Sequence, residues 1–227
     1  DISLWVTRLK SINSKGPVKR HLWIVNGGPG CANEEKVTLF SRIDGVLDLI
    51  GGEIEIYFPD HRSTGLSRPW LNCSCSPPSP STVEKCVSEL VQRFGYEGLS
   101  KMSTESEAKD VNFLMKPMSA DIGITEVHLY GVSYGSFLAQ RIVLNASVPL
   151  TNLTLDGIVP PSATLATFDK NMGNVGRDFM AACGADSFCA SAFLGEDPFS
   201  TMDDLFDSMK KDPSKTCLSK LPGVTPP

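Results

Sequence analysis

Histidine is scarce in this chain, and none follows residue 128. The 227 residues hold three: His21, His61 and His128. They lie far from the cysteine pairs, so no cluster has zinc spacing. Long apolar runs are missing as well. No stretch approaches the roughly 18 residues that would cross a bilayer. Basic charge is not in excess: the formal net charge is −5, which gives no cationic face for nucleic acid. There is no internal repeat, low-complexity tract or phosphate-cradling glycine loop, and nothing in the sequence asks for a cofactor or a metal. No signal peptide is visible, although a mature secreted chain would have lost one. What remains is ordinary in bulk. Hydrophobic residues make up 41% and charged residues 21%, as in globular chains. This length can bury a substantial core, in one domain or one domain with an insertion.

Against that background one segment stands out, Gly131-Val132-Ser133-Tyr134-Gly135. The residues before it, Glu126 to Tyr130, are β-branched or aromatic enough for a short buried strand. Those after it, Phe137 to Leu144, carry apolar side chains at helical spacing. A G-x-S-x-G between strand and helix is the pattern of a nucleophile elbow. The serine takes a strained backbone on a sharp turn, and the flanking glycines let strand and helix pass without a Cβ clash. The bland alternative is an ordinary turn.

A second segment has the complementary chemistry. His21-Leu22-Trp23-Ile24-Val25 reads as another buried strand and runs into Asn26-Gly27-Gly28-Pro29-Gly30. A tetrahedral intermediate places its charge on one oxygen. Backbone N–H groups must reach that oxygen with no side chain in the way, which favours glycine. Gly28 is the candidate for one donor. The N–H of the residue after the nucleophile, Tyr134, is the other. Gly-Pro clusters also mark plain turns, so this segment alone decides nothing.

Together these segments carry a resemblance. The chain resembles the α/β-hydrolase peptidases of the prolyl iminopeptidase and tripeptidyl aminopeptidase group. Three blocks carry the likeness: Trp23 to Gly30, Asp60-His61-Arg62-Ser63-Thr64-Gly65-Leu66-Ser67, and Leu129 to Gly135. Leu155 to Pro161 is a weaker fourth and looks like the strand after the elbow helix. The likeness covers roughly the first 160 residues. Two departures stand out. The group's glycine loop often opens with His-Gly-Gly or Pro-Gly-Gly, where this chain has Asn26. Its second block usually has glycine where this chain has Ser63. Neither change removes a donor N–H. The resemblance implies an α/β-hydrolase fold with a mostly parallel sheet, Ser133 as nucleophile, and Gly28 and Tyr134 as oxyanion donors. Asp60 and Arg62 are expected to brace their loop rather than touch substrate.

The histidine shortage now matters. The triad order in this fold is serine, then acid, then histidine. All three histidines precede Ser133. His128 lies in the strand before the elbow, and His21 begins the glycine-loop strand at its far end. His61 follows a strand at its C-terminal end, the correct side of the sheet, and is the one conceivable substitute base. Serine without a base is a weak nucleophile. The isolated chain is therefore expected to lack turnover. Two explanations compete: a fragment whose final strands, acid and histidine are missing, or a degenerate hydrolase kept for binding. The intact motifs, the start at Asp1 and the loop-like Leu221 to Pro227 favour the fragment.

Seven cysteines, Cys31, Cys73, Cys75, Cys86, Cys183, Cys189 and Cys217, are many for a reducing compartment. Three glycosylation sequons accompany them, at Asn72, Asn145 and Asn152. A secretory or lysosome-like route is expected, against the alternative of buried free thiols. Cys183 and Cys189 flank a turn-prone stretch and are expected to be bridged. Cys86 is expected to pair with Cys73 or Cys75, and spacing does not choose between them. Cys31 is expected to be a buried thiol or the partner of something missing, and Cys217 an orphan.

The remaining layout is coarse. Ile2 to Leu9 alternates like an early strand. Residues 34–49 read as one or two short helices, Ile54 to Phe58 as a strand and 61–80 as a long loop. Residues 82–94 read as a helix, and Ser103 caps another that ends before Pro117. These place an α/β core at 1–160 and a helical segment at 161–227. The latter carries a Met and Phe stripe: Leu165, Phe168, Met172, Val175, Phe179, Met180. By resemblance it is a cap over the active site, and Asp169, Asp178 and Glu196 are candidates to hold a substrate's free amino terminus. As plain sequence they read as solvated helix faces. The functional expectation is a serine hydrolase removing residues from peptide N-termini through an acyl-enzyme on Ser133. An esterase or lipase-like enzyme and a catalytically dead scaffold are the alternatives.

Overall fold

The computed structural model describes residues 1–11, 18–33, 53–74, 79, 81–120, 123–164, 167 and 169–212. Two compact units are present, Asp1–Ser162 and Ala163–Pro227. The first is built on five strands: β1 (Val6–Leu9), β2 (Arg20–Val25), β3 (Ile54–Pro59), β4 (Glu126–Val132) and β5 (Asn152–Asp156). Their order across the sheet is β1-β3-β2-β4-β5. β1 is antiparallel to β3, and every other pairing is parallel. Among the described residues three helices belong to this unit: α1 (Val83–Ser100), α2 (Thr104–Ala120) and α3 (Tyr134–Leu144).

Parallel strands are covered on both faces, so they read as continuous apolar runs. Trp23-Ile24-Val25 in β2 and Ile56-Tyr57-Phe58 in β3 are such runs, and all six are buried. Successive side chains point to opposite faces. One face collects Trp23, Val25, Tyr57, Val127 and Leu129 against Ala108, Val111 and Met115 of α2 and Leu138, Ala139 and Ile142 of α3. The other collects Ile24, Ile56 and Phe58 with Leu9, Leu22 and Tyr130. Burial of side chains this size contributes about 1.5–3 kcal/mol each. It fixes the register of β2 on β4, in which Val25 opposes Gly131.

Several expectations shift. The first strand is shorter than Ile2 to Leu9; Ser3 makes only an isolated bridge to Arg68. α1 runs on past residue 94 to Ser100, with a break at Gly95, φ 67°. α2 does not stop before Pro117 but continues to Ala120. A proline removes one N–H and crowds the carbonyl four residues back. Here that falls in the last turn, beyond the buried Ala108–Val111–Met115 stripe, so the helix survives it. Ser103 does cap this helix, its Oγ accepting from the Ser106 N–H at 3.3 Å. The helices expected at 34–49 lie outside the described residues.

Among the seven cysteines, Cys73 is joined to Cys86 and Cys183 to Cys189, with Cα separations of 5.3 and 5.1 Å. The first bridge ties the Ser/Pro loop to α1. Cys31 has no disulfide partner among the described residues and is exposed rather than buried, because the turn after Gly30 carries it to the surface. Cys75 and Cys217 lie outside the described residues.

The second unit contains α4 (Met172–Ala185), α5 (Ser187–Ser191) and α6 (Pro198–Lys211). Asp186 caps α5 and Asp197 caps α6, each side chain accepting a backbone N–H at 2.8 Å. Cys183–Cys189 staples α4 to α5. No helix among the described residues is long and apolar enough to cross a membrane.

Candidate active site

Ser133 joins β4 to α3. Its backbone sits at φ 56°, ψ −123°, and its side chain is exposed. Positive φ in a residue with a Cβ is strained, and such strain gathers at functional turns. The surroundings over-determine it. A Cβ added at Gly131 would lie 2.4 Å from the Gly135 carbonyl oxygen, and one at Gly135 would lie 2.0 Å from that of Val25. No side chain fits at either position. The Ser133 N–H donates to the Asp156 carbonyl at 2.8 Å, tying the turn to the end of β5. Ser136 tightens the same knot: its Oγ donates to the Ser133 carbonyl at 2.6 Å and accepts from the Val159 N–H at 2.8 Å. The Ser133 hydroxyl thus stands at the N-terminus of an 11-residue helix, whose first N–H groups have no partner within the helix.

The glycine loop after β2 runs beside this hydroxyl. A Cβ at Gly27 would stand 3.0 Å from the Ser133 Cβ and 3.4 Å from its Oγ. The Gly27 N–H is already used, donating to the Asn26 Oδ1 at 2.8 Å. Gly28 follows at φ 117°, and a Cβ there would strike the Gly30 and Cys31 backbone instead. The loop can take this path only without side chains. The elements carrying Ser133, Tyr134 and the Gly27–Gly28 turn therefore meet at the C-terminal ends of β2 and β4.

The Asp60 block supports this turn from the side. Asp60 accepts the Asn33 N–H on one oxygen and the Leu66 N–H on the other, both at 2.9 Å. Arg62 is held by both carboxylate oxygens of Asp110 and by the Lys101 carbonyl. Ser63 lies at φ 66°, in the left-handed region where glycine is unstrained. Asp60 and Arg62 are thus engaged in bracing this loop.

None of the histidines offers Ser133 a lone pair. His21 is buried at the opposite end of β2, its Nε2 3.4 Å from the Tyr57 hydroxyl. His128 lies five residues before Ser133, about 16 Å along the strand. It is bonded to Glu126 and Asn152. His61 is nearer, and its ring edge meets the Tyr134 ring at 5.5 Å. Both its nitrogens are occupied, Nδ1 by the Glu107 carboxylate and Nε2 by the Asn26 carbonyl at 3.0 Å. Burial alone would lower its pKa. The Glu107 hydrogen bond and charge, the Asn26 carbonyl and the Asp60 charge overcome this and hold it above the ordinary value. Tyr134 is pushed up to about 12 by burial and then by Glu107, so its phenol stays protonated. That phenol and the Thr104 hydroxyl are 2.8 Å apart.

Glu107, Asn26 and Ser136 did not emerge from the sequence as site residues. Glu107 had a signal: it lies four residues before Val111 and eight before Met115, on the buried stripe of α2. Asp169, Asp178 and Glu196 of the second unit are exposed.

A parallel sheet with an antiparallel first strand, a serine elbow after β4 and a glycine loop after β2 define part of an α/β-hydrolase fold. Compared by sequence, the chain matches no protein-family profile and no curated protein. Among solved structures it is similar to a proline iminopeptidase from Mycobacterium smegmatis, at 16% identity and a TM-score of 0.47, over 91% of this chain and 57% of that one. It is also similar to the esterase EaEST from Exiguobacterium antarcticum, at 15% and 0.45, over 81% of this chain and 56% of that one. A lipase in its open form aligns at 14% and 0.44, over 81% and 47%. The chain thus spans little more than half the length of these proteins or less. At such identity the likeness says nothing of substrate.

Proposed function

We propose that Ser133 is the nucleophile of a serine hydrolase that removes residues from peptide N-termini. Its hydroxyl attacks the scissile carbonyl. The base takes the Ser133 proton, the N–H groups of Gly28 and Tyr134 hold the oxyanion, and the C–N bond breaks as the amine leaves with that proton; the resulting acyl-enzyme on Ser133 is then hydrolysed by water. The observation that carries this reading is the strained, exposed Ser133 at a helix N-terminus, with Gly27 packed against its Cβ. The base and acid come from polypeptide outside these 227 residues, since the described contacts engage all three histidines elsewhere. Peptide rather than ester as substrate is supported by the three-block resemblance. A secretory compartment is supported by the two disulfides and by the exposure of Asn72, Asn145 and Asn152. The second unit is proposed to be the cap of the enzyme.

The test is fluorophosphonate labelling of the full-length protein, followed by peptide mapping. Label is expected on Ser133. Turnover is expected on free-amine peptides and not on N-blocked ones or simple esters. Preference for esters would move the reading to an esterase. Label on another serine, with Ser133→Ala still active, would overturn the assignment. A full-length protein without a downstream histidine or turnover would make it a binding scaffold.

A further inference from the structure

Glycine turns are flexible, yet an oxyanion donor must be held to within about half an ångström. Something rigid has to hold the Gly27–Gly28 turn. The contacts form one unbroken series. Glu107 on α2 bonds His61. His61 bonds the Asn26 carbonyl at 3.0 Å. Asn26 bonds the Gly27 N–H through its side chain at 2.8 Å. Gly27 abuts Ser133. The ring of His61 also rests edge-on against Tyr134, the other donor residue. One imidazole therefore touches the residue that leads into the glycine turn and the side chain of the other donor residue.

We infer that His61 and Glu107 are positioning residues that clamp the Asn26 carbonyl and so aim the Gly27–Gly28 turn at Ser133. This rests on the reading of that turn as the oxyanion loop. Counting donors explains why a histidine stands here. His61 is 3% exposed and faces two acceptors, a carboxylate and a carbonyl. An imidazolium has two N–H groups and satisfies both. A neutral ring has one, and would turn a lone pair toward an acceptor unless Glu107 took the proton. The charged groups facing the ring are Glu107 on α2 and Asp60 on the adjoining loop, with the Tyr134 phenol on α3. Both carboxylates favour the cation. Glutamine at 61 would place both its N–H donors on one nitrogen and could not span the two acceptors in the same way.

The experiment needs no catalysis. In the 227-residue chain labelled with nitrogen-15 histidine, both ring N–H protons of His61 are expected to be visible by NMR at pH 7 and slow to exchange. In Glu107→Gln the amide of Gly27, which is buried and bonded to Asn26, should exchange faster by about tenfold or more, the loss of a charged hydrogen bond. Exchange at Leu129 in β4 should stay unchanged. A role in general packing would instead accelerate both regions equally, or neither, and either result overturns the inference. So does a His61 ring that titrates freely with rapidly exchanging protons in the wild type, a measurement that stands even if the variant fails to fold. Loss of Ser133 labelling in the full-length protein with these NMR results intact would refute the nucleophile and leave the clamp.

Discussion

Two histidines lie buried at opposite ends of the same sheet, and they behave in opposite ways. His21 opens β2, where α/β folds place no chemistry, and His61 follows β3 at the end where they do. Both are almost wholly removed from water. His21 approaches two polar groups through Nε2, the Tyr57 hydroxyl at 3.4 Å and the Glu55 carboxylate at 3.8 Å, and that hydroxyl donates to Glu55 at 2.8 Å. Its Nδ1 has no partner among the described residues. Burial depresses its pKa; Glu55 pulls back and Arg8 pushes down again. His61 has an acceptor on each nitrogen and is held above its ordinary value against burial. Burial pushes both rings toward the neutral form, and the acceptors and charges facing the two nitrogens decide whether that push is overcome.

The largest expected effect separates nucleophile from support. In the full-length protein, if it is the proposed hydrolase, Ser133→Ala should lower turnover by on the order of 10⁴ to 10⁶. His61→Gln should cost on the order of 10 to 100, with wild-type pH dependence of acylation retained. An equal loss in the two variants would make His61 the base and break the comparison. Next, Glu107→Ala should cost about 3–5 kcal/mol in urea denaturation at pH 6, because it strands a buried imidazolium. Glu55→Ala should cost markedly less. Of the two groups it leaves, Arg8 is 46% exposed and rehydrates, and the Tyr57 hydroxyl is neutral, its stranding costing about 1–3 kcal/mol.

The pH profile of stability sharpens the contrast further. His61, raised from 6.5, contributes fully below that pH, and the contribution fades as pH rises through the folded value. His21, lowered from 6.5, contributes fully above it, and its share fades as pH falls through the folded value. Against wild type, His61→Gln should flatten the alkaline limb of Tm against pH and His21→Phe the acid limb. Each pKa unit is worth about 1.4 kcal/mol. The same limb flattened by both variants would show that the two rings are not opposed. Smallest of all, Ser63→Gly should change stability by no more than about 1 kcal/mol. Relief of the left-handed strain at φ 66° is partly offset by the freedom glycine gains when unfolded. A calorimetric loss larger than that would mean the Ser63 contact with Met102 matters more than the strain.

Much of this was legible in the sequence, and the reason is geometric. Gly131 and Gly135 are forced by backbone contacts under 3 Å, so the elbow announces itself in a five-residue motif. Cys183–Cys189 was readable because its loop is local. The choice of Cys73 for Cys86 was not, since either neighbour could close the loop. Pro117 misled because the rule against helix prolines assumes an interior position. For Cys31 the buried option fails, because its place after the glycine turn says nothing of which way that turn points, and the option of a partner elsewhere is untouched. Glu107 was hidden for a different reason. An acidic residue near a helix N-terminus has a sufficient local explanation in the helix dipole. Only the fold brings it to His61, 46 residues earlier in the chain.

The close approach of Gly135 to Val25 has a mechanical consequence. In an assembly of parts, misalignment grows with the number of joints between two working surfaces. Here the helix behind Ser133 rests directly on the last peptide of the strand that delivers the glycine loop, with 2.0 Å separating that carbonyl from where a Cβ at Gly135 would be. The two surfaces share a single datum. Alignment at this site starts from that one contact, to which the His61 clamp on Asn26 adds a second, and neither depends on the 100 or so residues of chain between β2 and α3.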